Sequence, residues 1–205
     1  LLIRVGNQLR EARYLWGSGG NYLVFGYRLQ PGEVDDDGIE VLNTIMLNGA
    51  TIRDAAGNDA DLSFTAPNTA GIRIDAVRPR IEEIEVPERG TYTKDQELNF
   101  TVRFSKPVVV NFTGQNKPYL RLLIGGRIRR AEYVSGSGTN QLVFRYVVQE
   151  EDQDIDGINI LTPLARPRNT LQSSLRDNVG NQILADFTPP ITTGIRIRVR
   201  NGDES

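Results

Sequence analysis

Residues 142–148 read Leu142-Val143-Phe144-Arg145-Tyr146-Val147-Val148, and residues 23–29 read Leu23-Val24-Phe25-Gly26-Tyr27-Arg28-Leu29. Large apolar groups fall on every second position of both stretches. In a strand, successive side chains point to opposite faces, so this alternation places one apolar face against a core and leaves the other free. Leu98-Phe100-Val102-Phe104 and Ile195-Ile197-Val199 repeat the pattern. Turn formers separate these runs, among them Gly17-Ser18-Gly19-Gly20, Asn48-Gly49, Gly125-Gly126 and Gly136-Ser137-Gly138. No stretch carries a sustained 3.6-residue period. Strands at this spacing predict an all-β chain of antiparallel sandwiches with Greek-key wiring.

The two quoted stretches are copies of each other. With Tyr14 set on Tyr133, an offset of 119 residues, positions 1–42 fall on 120–161 with 19 of 42 identities. Average residue usage would give about two or three. Ala12/Ala131, Gln30/Gln149 and Asp35-x-Asp37-Gly38-Ile39 with Asp154-x-Asp156-Gly157-Ile158 are among the shared landmarks. After a four-residue insertion the offset becomes 123: Asp54-x-x-Gly57-Asn58 matches Asp177-x-x-Gly180-Asn181, and Gly71-Ile72-Arg73-Ile74 matches Gly194-Ile195-Arg196-Ile197. Nothing before Leu1 corresponds to residues 81–119. The expected organisation is therefore an N-terminally truncated repeat over 1–78 and a complete one, with a short tail, over 79–205. The missing strands would come from a module cut by the chain's start, in a fragment or processed product, or from a neighbouring chain.

Composition narrows the chemistry. The chain has no Cys and no His, which removes disulfides, zinc sites built on either residue, and Ser-His or Cys-His catalysis. A formal charge of −2, with the Arg residues scattered, argues against a nucleic-acid surface. No apolar run is long enough for a membrane-spanning helix and no signal segment opens the chain. A disulfide-free domain outside the cell needs another staple, and calcium is the obvious one.

The acids cluster at matching places. Glu33-Val34-Asp35-Asp36-Asp37-Gly38 and Asp152-Gln153-Asp154-Ile155-Asp156-Gly157 both resemble the first half of an EF-hand loop, in which alternate carboxylates converge on one cation. The second half fails, because Thr44 and Pro163 stand where the bidentate Glu belongs and strands flank the loop. Calcium held by Glu33, Asp35 and Asp37, and by Asp152, Asp154 and Asp156, is the expected role. Asp54 and Asp177 are candidates to complete the coordination. The same loops also fit acidic turns whose Asp caps its own backbone. Asp54 and Asp177, each followed by Gly-Asn, fit turn chemistry better than a separate site. Asp75, before Pro79, is a candidate for an ion at the joint between repeats. Tyr14, Trp16 and Tyr22 offer a sugar platform, although Tyr14 recurs as Tyr133 and reads as core. Duplicated acid loops suit a structural role better than one active site, so catalysis is not expected.

The strings Tyr133-Val-Ser-Gly-Ser-Gly138, Leu142-Val-Phe-x-Tyr-x-Val-Gln149, Asp154-x-Asp-Gly-Ile158 and Asp177-x-x-Gly-Asn181 resemble the bacterial Ig-like repeat of giant surface adhesins. That repeat also occurs in a cyanobacterial swimming-motility surface protein. Phe104-Ser-Lys-Pro-Val108 looks like its second-strand signature. The resemblance implies tandem, calcium-rigidified Ig-like modules on a secreted bacterial cell-surface protein, serving as spacer or adhesive stalk beside neighbouring repeats of the same or an identical chain; host or surface glycans are the partners that the aromatic platform would add. Two alternatives stand beside it: a filament assembled by β-strand donation between chains, and a carbohydrate-binding β-sandwich. Basic residues nearly balance the acids here, and Arg198 replaces the acid at the position of Asp75; both depart from the family's pattern.

Overall fold

Period-two runs become strands because each buries one side. In the computed structural model, which describes residues 1–165 and 173–199, Leu98, Phe100, Val102 and Phe104 are at most 1% exposed while Asn99, Thr101 and Arg103 between them face outward or sit half-buried. The chain divides into two compact units, one spanning Leu1–Val77 and one from Arg78 onward. No helix occurs among the described residues.

The second unit contains β8 (Ile81–Glu85), β9 (Gly90–Tyr92), β10 (Glu97–Phe112), β11 (Tyr119–Ile124), β12 (Arg127–Ser135), β13 (Thr139–Val147), β14 (Gln153–Asp154), β15 (Asn159–Ala165), β16 (Ser173–Arg176) and β17 (Ile195–Arg198). One sheet runs β15-β11-β12-β13-β10-β16, with β8 also on β10; a second runs β14-β17-β9. β10 is long because it serves two neighbours in succession. Phe100 opposes Phe144 of β13, and Val110 opposes Leu175 of β16. A register shift between Arg103 and Val108 separates the two halves. Pro107, which has no N–H for a ladder, sits in that irregularity. The core gathers Leu98, Phe100, Leu122, Phe144, Ile160 and Ile197 from five strands. Among the described strands every pairing is antiparallel except one. β9 and β17 run parallel, Thr91 opposite Arg196, with nearly the whole unit as the connection such a pairing needs. An all-antiparallel expectation misses this pair because it joins segments more than a hundred residues apart.

The first unit contains β1 (Leu2–Val5), β2 (Gln8–Glu11), β3 (Arg13–Trp16), β4 (Val24–Gly26), β5 (Val34–Asp35), β6 (Glu40–Val41) and β7 (Ile74–Asp75). Every pairing here recurs in the second unit at the offsets read from the sequence. Ile3 opposes Arg10 as Leu122 opposes Arg129, and Ile3 opposes Val41 as Leu122 opposes Ile160. Tyr14 opposes Phe25 as Tyr133 opposes Phe144, with the same register shift after each tyrosine. Val34 opposes Asp75 as Gln153 opposes Arg198. Counterparts of β8, β9 and β10 do not occur in this unit. Its buried core is correspondingly small: Ile3, Val5 and Ala12. Tyr14, expected as core, is 48% exposed where Tyr133 is 8%. The copied tyrosine keeps its strand partner but loses the strand that covers it.

Candidate functional site

Alternation along each loop turns the acids at its first and third positions inward. Glu33 and Asp35 are buried, as are Asp152 and Asp154, while Asp37 and Asp156 are exposed. Each inward carboxylate meets donors from other strands. The Glu33 carboxylate accepts from Arg10 Nε at 2.6 Å, Tyr27 Oη at 2.5 Å and the Gln30 N–H at 2.7 Å. Asp152 repeats the set at the same offset, accepting from Arg129 Nε at 2.8 Å, from the Tyr146 hydroxyl and from the Gln149 N–H at 2.9 Å. Arg129 also reaches Glu151 at 2.8 Å.

The acid at the third position fastens a different place. Asp35 accepts from the Gly6 N–H at 2.6 Å and the Gly38 N–H at 2.7 Å, joining the β1–β2 turn to the acid loop. Asp154 does the same with Gly125 and Gly157, each at 2.8 Å. These glycines are demanded by the contact. A Cβ on Gly6 or Gly125 would lie 2.6 or 2.1 Å from the carbonyl oxygen of Val34 or Gln153, and both have positive φ. Beyond each loop, the Thr69 and Thr192 hydroxyls donate to the carbonyls of Ile39 and Ile158, which ties the loop to the last strand's approach.

The remaining candidates lie elsewhere. Asp54 accepts from the Ala56 and Asn58 N–H groups and from Asn58 Nδ2, a self-capped turn. Asp177 repeats it with Val179 and Asn181 and adds Lys106 Nζ at 3.2 Å. Asp75 is half-buried and accepts from the Val77 N–H at 3.0 Å. Trp16 and Tyr22 meet edge to face at 5.6 Å and 82°, so together they present an edge and a face, not one flat sugar platform.

Calcium takes six to eight oxygens. Among the described residues no three acids converge on one point. Both oxygens of Glu33, Asp35, Asp152 and Asp154 already accept from N–H or O–H donors, one donor in each loop being a guanidinium. A cation there would face like charge and displace donors that burial makes costly to orphan. In this arrangement the donor set does not fit a calcium ion.

The charges support each other instead. Burial pushes the Glu33 carboxyl upward, but the Tyr27 hydroxyl, the Gln30 N–H and Arg10 hold it below its ordinary value of 4.5. Burial, then the Asp152 carboxylate, raises the Tyr146 phenol, which stays protonated and donates. Burial acts upward on Asp177 too, and the Asn181 and Lys106 bonds bring it below 3.8. A depressed carboxyl contributes stability that is whole above its unfolded value and is lost as pH falls through the folded one. Thermal midpoints are therefore expected to stay level from about pH 8 to about pH 5 and to fall steadily below about pH 4.5. Calorimetry across that series checks it, and a fall on the alkaline side instead would show that other groups dominate.

Sequence reading grouped the acids by their repeat but missed their partners, and Asp35 and Asp154 lie on the short strands β5 and β14. Arg10/Arg129 and Tyr27/Tyr146 are identical at the same offset as the acids, which was the available signal. No family model, curated protein or solved structure matches the chain.

Proposed function

We propose that the chain is a load-bearing spacer, built from β-modules whose acid loops are closed by internal charge pairs and not by calcium. In the setting that the Ig-like resemblance implies, it belongs to the stalk of a secreted bacterial surface protein. The observation that carries this reading is the parallel pairing of β9 with β17. β9 lies near where the chain enters the second unit, and β17 near where it leaves. Tension applied through the two ends pulls such a parallel pair in opposite directions along its length. The bonds between them are then loaded together in shear, whereas an antiparallel hairpin pulled from its two ends opens one bond at a time. The pair is anchored on both sides: Ile195 and Ile197 of β17 are buried, the Gly90 N–H donates to Gly194 O at 2.9 Å, and Asp154 opposite Ile197 is locked to Gly125 and Gly157.

Single-molecule pulling of the chain from its ends, with calcium and then with a chelator, tests both halves of the proposal. The expected record is one cooperative, high-force event for the second unit, at the same force in both buffers. Yielding without a resolvable event would remove the load-bearing role. A force that rises with calcium would remove the metal-free lock.

A further inference from the structure

The first unit carries an apolar face whose copy in the second unit is covered. Six positions show the difference. Tyr14, Leu29 and Ile72 are 48%, 44% and 50% exposed, while their counterparts Tyr133, Val148 and Ile195 are 8%, 0% and 1%. Leu1, Leu23 and Phe25 are half-buried, while Leu120, Leu142 and Phe144 are at 0%. Other exposed apolar residues do not share this history: Leu15 and Trp16 match Val134 and Ser135, which stay exposed in the second unit as well.

What covers the face in the second unit is chiefly β10. It pairs with β13 through Leu98–Tyr146, Phe100–Phe144 and Val102–Leu142, then passes between Tyr133 and β16, where Phe112 meets the Tyr133 ring at 6.1 Å. In the first unit β4, the copy of β13, pairs with β3 alone among the described strands, so its other edge has free N–H and C=O groups. Beside it lies a cleft of about 710 Å³. Tyr14, Leu23 and Phe25 line one side; Thr51, Ile52 and Arg53, the copies of Ser174, Leu175 and Arg176 of β16, line the other. The two walls that grip β10 in the second unit are thus both present in the first.

We infer that this cleft binds an extended polypeptide segment of β10 chemistry, large apolar residues alternating with polar ones, added antiparallel to β4 in the register of β10 on β13. A second copy of this chain is not the occupant. Its own β10 has Leu98, Phe100, Val102 and Val108 at 0% exposure and could be lent only by unfolding its second unit. Selection is by apolar side chains more than by charge, since Gly26 stands where Arg145 binds Glu97 and Asn99. The inference rests on the repeat alone and is independent of load bearing.

A fluorescein-labelled peptide of residues 96–112, titrated into the full chain, tests it by anisotropy, with hydrogen exchange followed at 24–26. Saturable binding and slowed exchange in β4 are expected. Replacing Phe100 by Asp in the peptide should abolish binding, a control that leaves the protein untouched. In the chain, Tyr14→Asp and Leu29→Asp should each weaken binding by roughly tenfold or more, as an unpaired charge in a closing apolar contact does; Leu15→Asp should leave it unchanged. Absent binding, equal binding by a scrambled peptide, or unaltered exchange in β4 would overturn the inference. So would dimerisation of the chain alone that Tyr14→Asp and Leu29→Asp abolish, because the occupant would then be a second copy.

Discussion

Arg129→Ala is expected to destabilise the second unit by about 3–5 kcal/mol, the loss that follows when one partner of a buried ion pair is removed. The Asp152 side chain is 1% exposed, against 21% for Arg129. Truncating the arginine leaves a desolvated carboxylate with the Tyr146 hydroxyl and the Gln149 N–H but no counter-charge. The reverse change is milder. Asp152→Ala leaves Arg129 partly in solvent and still paired with Glu151, and its penalty is the phenol and amide deprived of an acceptor, about 1–3 kcal/mol. Arg129→Lys should not rescue, because a single ammonium cannot serve Asp152 and Glu151 in the fixed geometry of the guanidinium. Calorimetry, following the transition of larger enthalpy, reads the order. If Arg129→Ala is no worse than Asp152→Ala, the lock does not hold the fold. Arg10→Ala should cost less, since the Arg10 side chain is 29% exposed and Glu33 7%.

The same pair shows where sequence reading stops. Alternating apolar residues announce strands because burial depends on a property local to each residue, and Leu142, Phe144, Tyr146 and Val148 are buried as that rule requires. The repeat carries further: its two offsets, 119 and 123, predict each strand register of the first unit from the second. What a carboxylate does depends on what arrives from elsewhere in the chain. Asp35-x-Asp37-Gly38 has the spacing of a cation loop, yet Gly6 comes from 29 residues away and Arg10 reaches Glu33 from 23 away. Spacing within the loop is blind to both. The near balance of 24 basic against 26 acidic residues carried a hint of those partners, because it left arginines available to meet the acids. The parallel β9–β17 pair is hidden for a related reason: Gly90-Thr91-Tyr92 is short, carries little pattern and gains its partner only when the unit closes.

Phe144→Ala and Phe25→Ala should separate the two units by the cover each possesses. Phe144 is fully buried, opposed by Phe100 on one side and Tyr133 on the other, with its ring edge-on to Tyr133 at 6.0 Å. Deleting it leaves a cavity in a packed core, at about 3–5 kcal/mol. Phe25 keeps the Tyr14 contact at 6.2 Å in nearly the same geometry but is only half-buried. Its truncation removes part of one side chain's burial and creates no enclosed void, so about 1–2 kcal/mol is expected. Native-state hydrogen exchange of β4 and β13 measures the two separately in one chain. The comparison also links to the strand inference: if a β10-type peptide seats in the cleft, Phe25 becomes a core residue, and the cost of Phe25→Ala should climb toward that of Phe144→Ala when saturating peptide is present. Equal costs without peptide would mean that the first unit already covers this face by some other route, and the cleft would have no strand to accept.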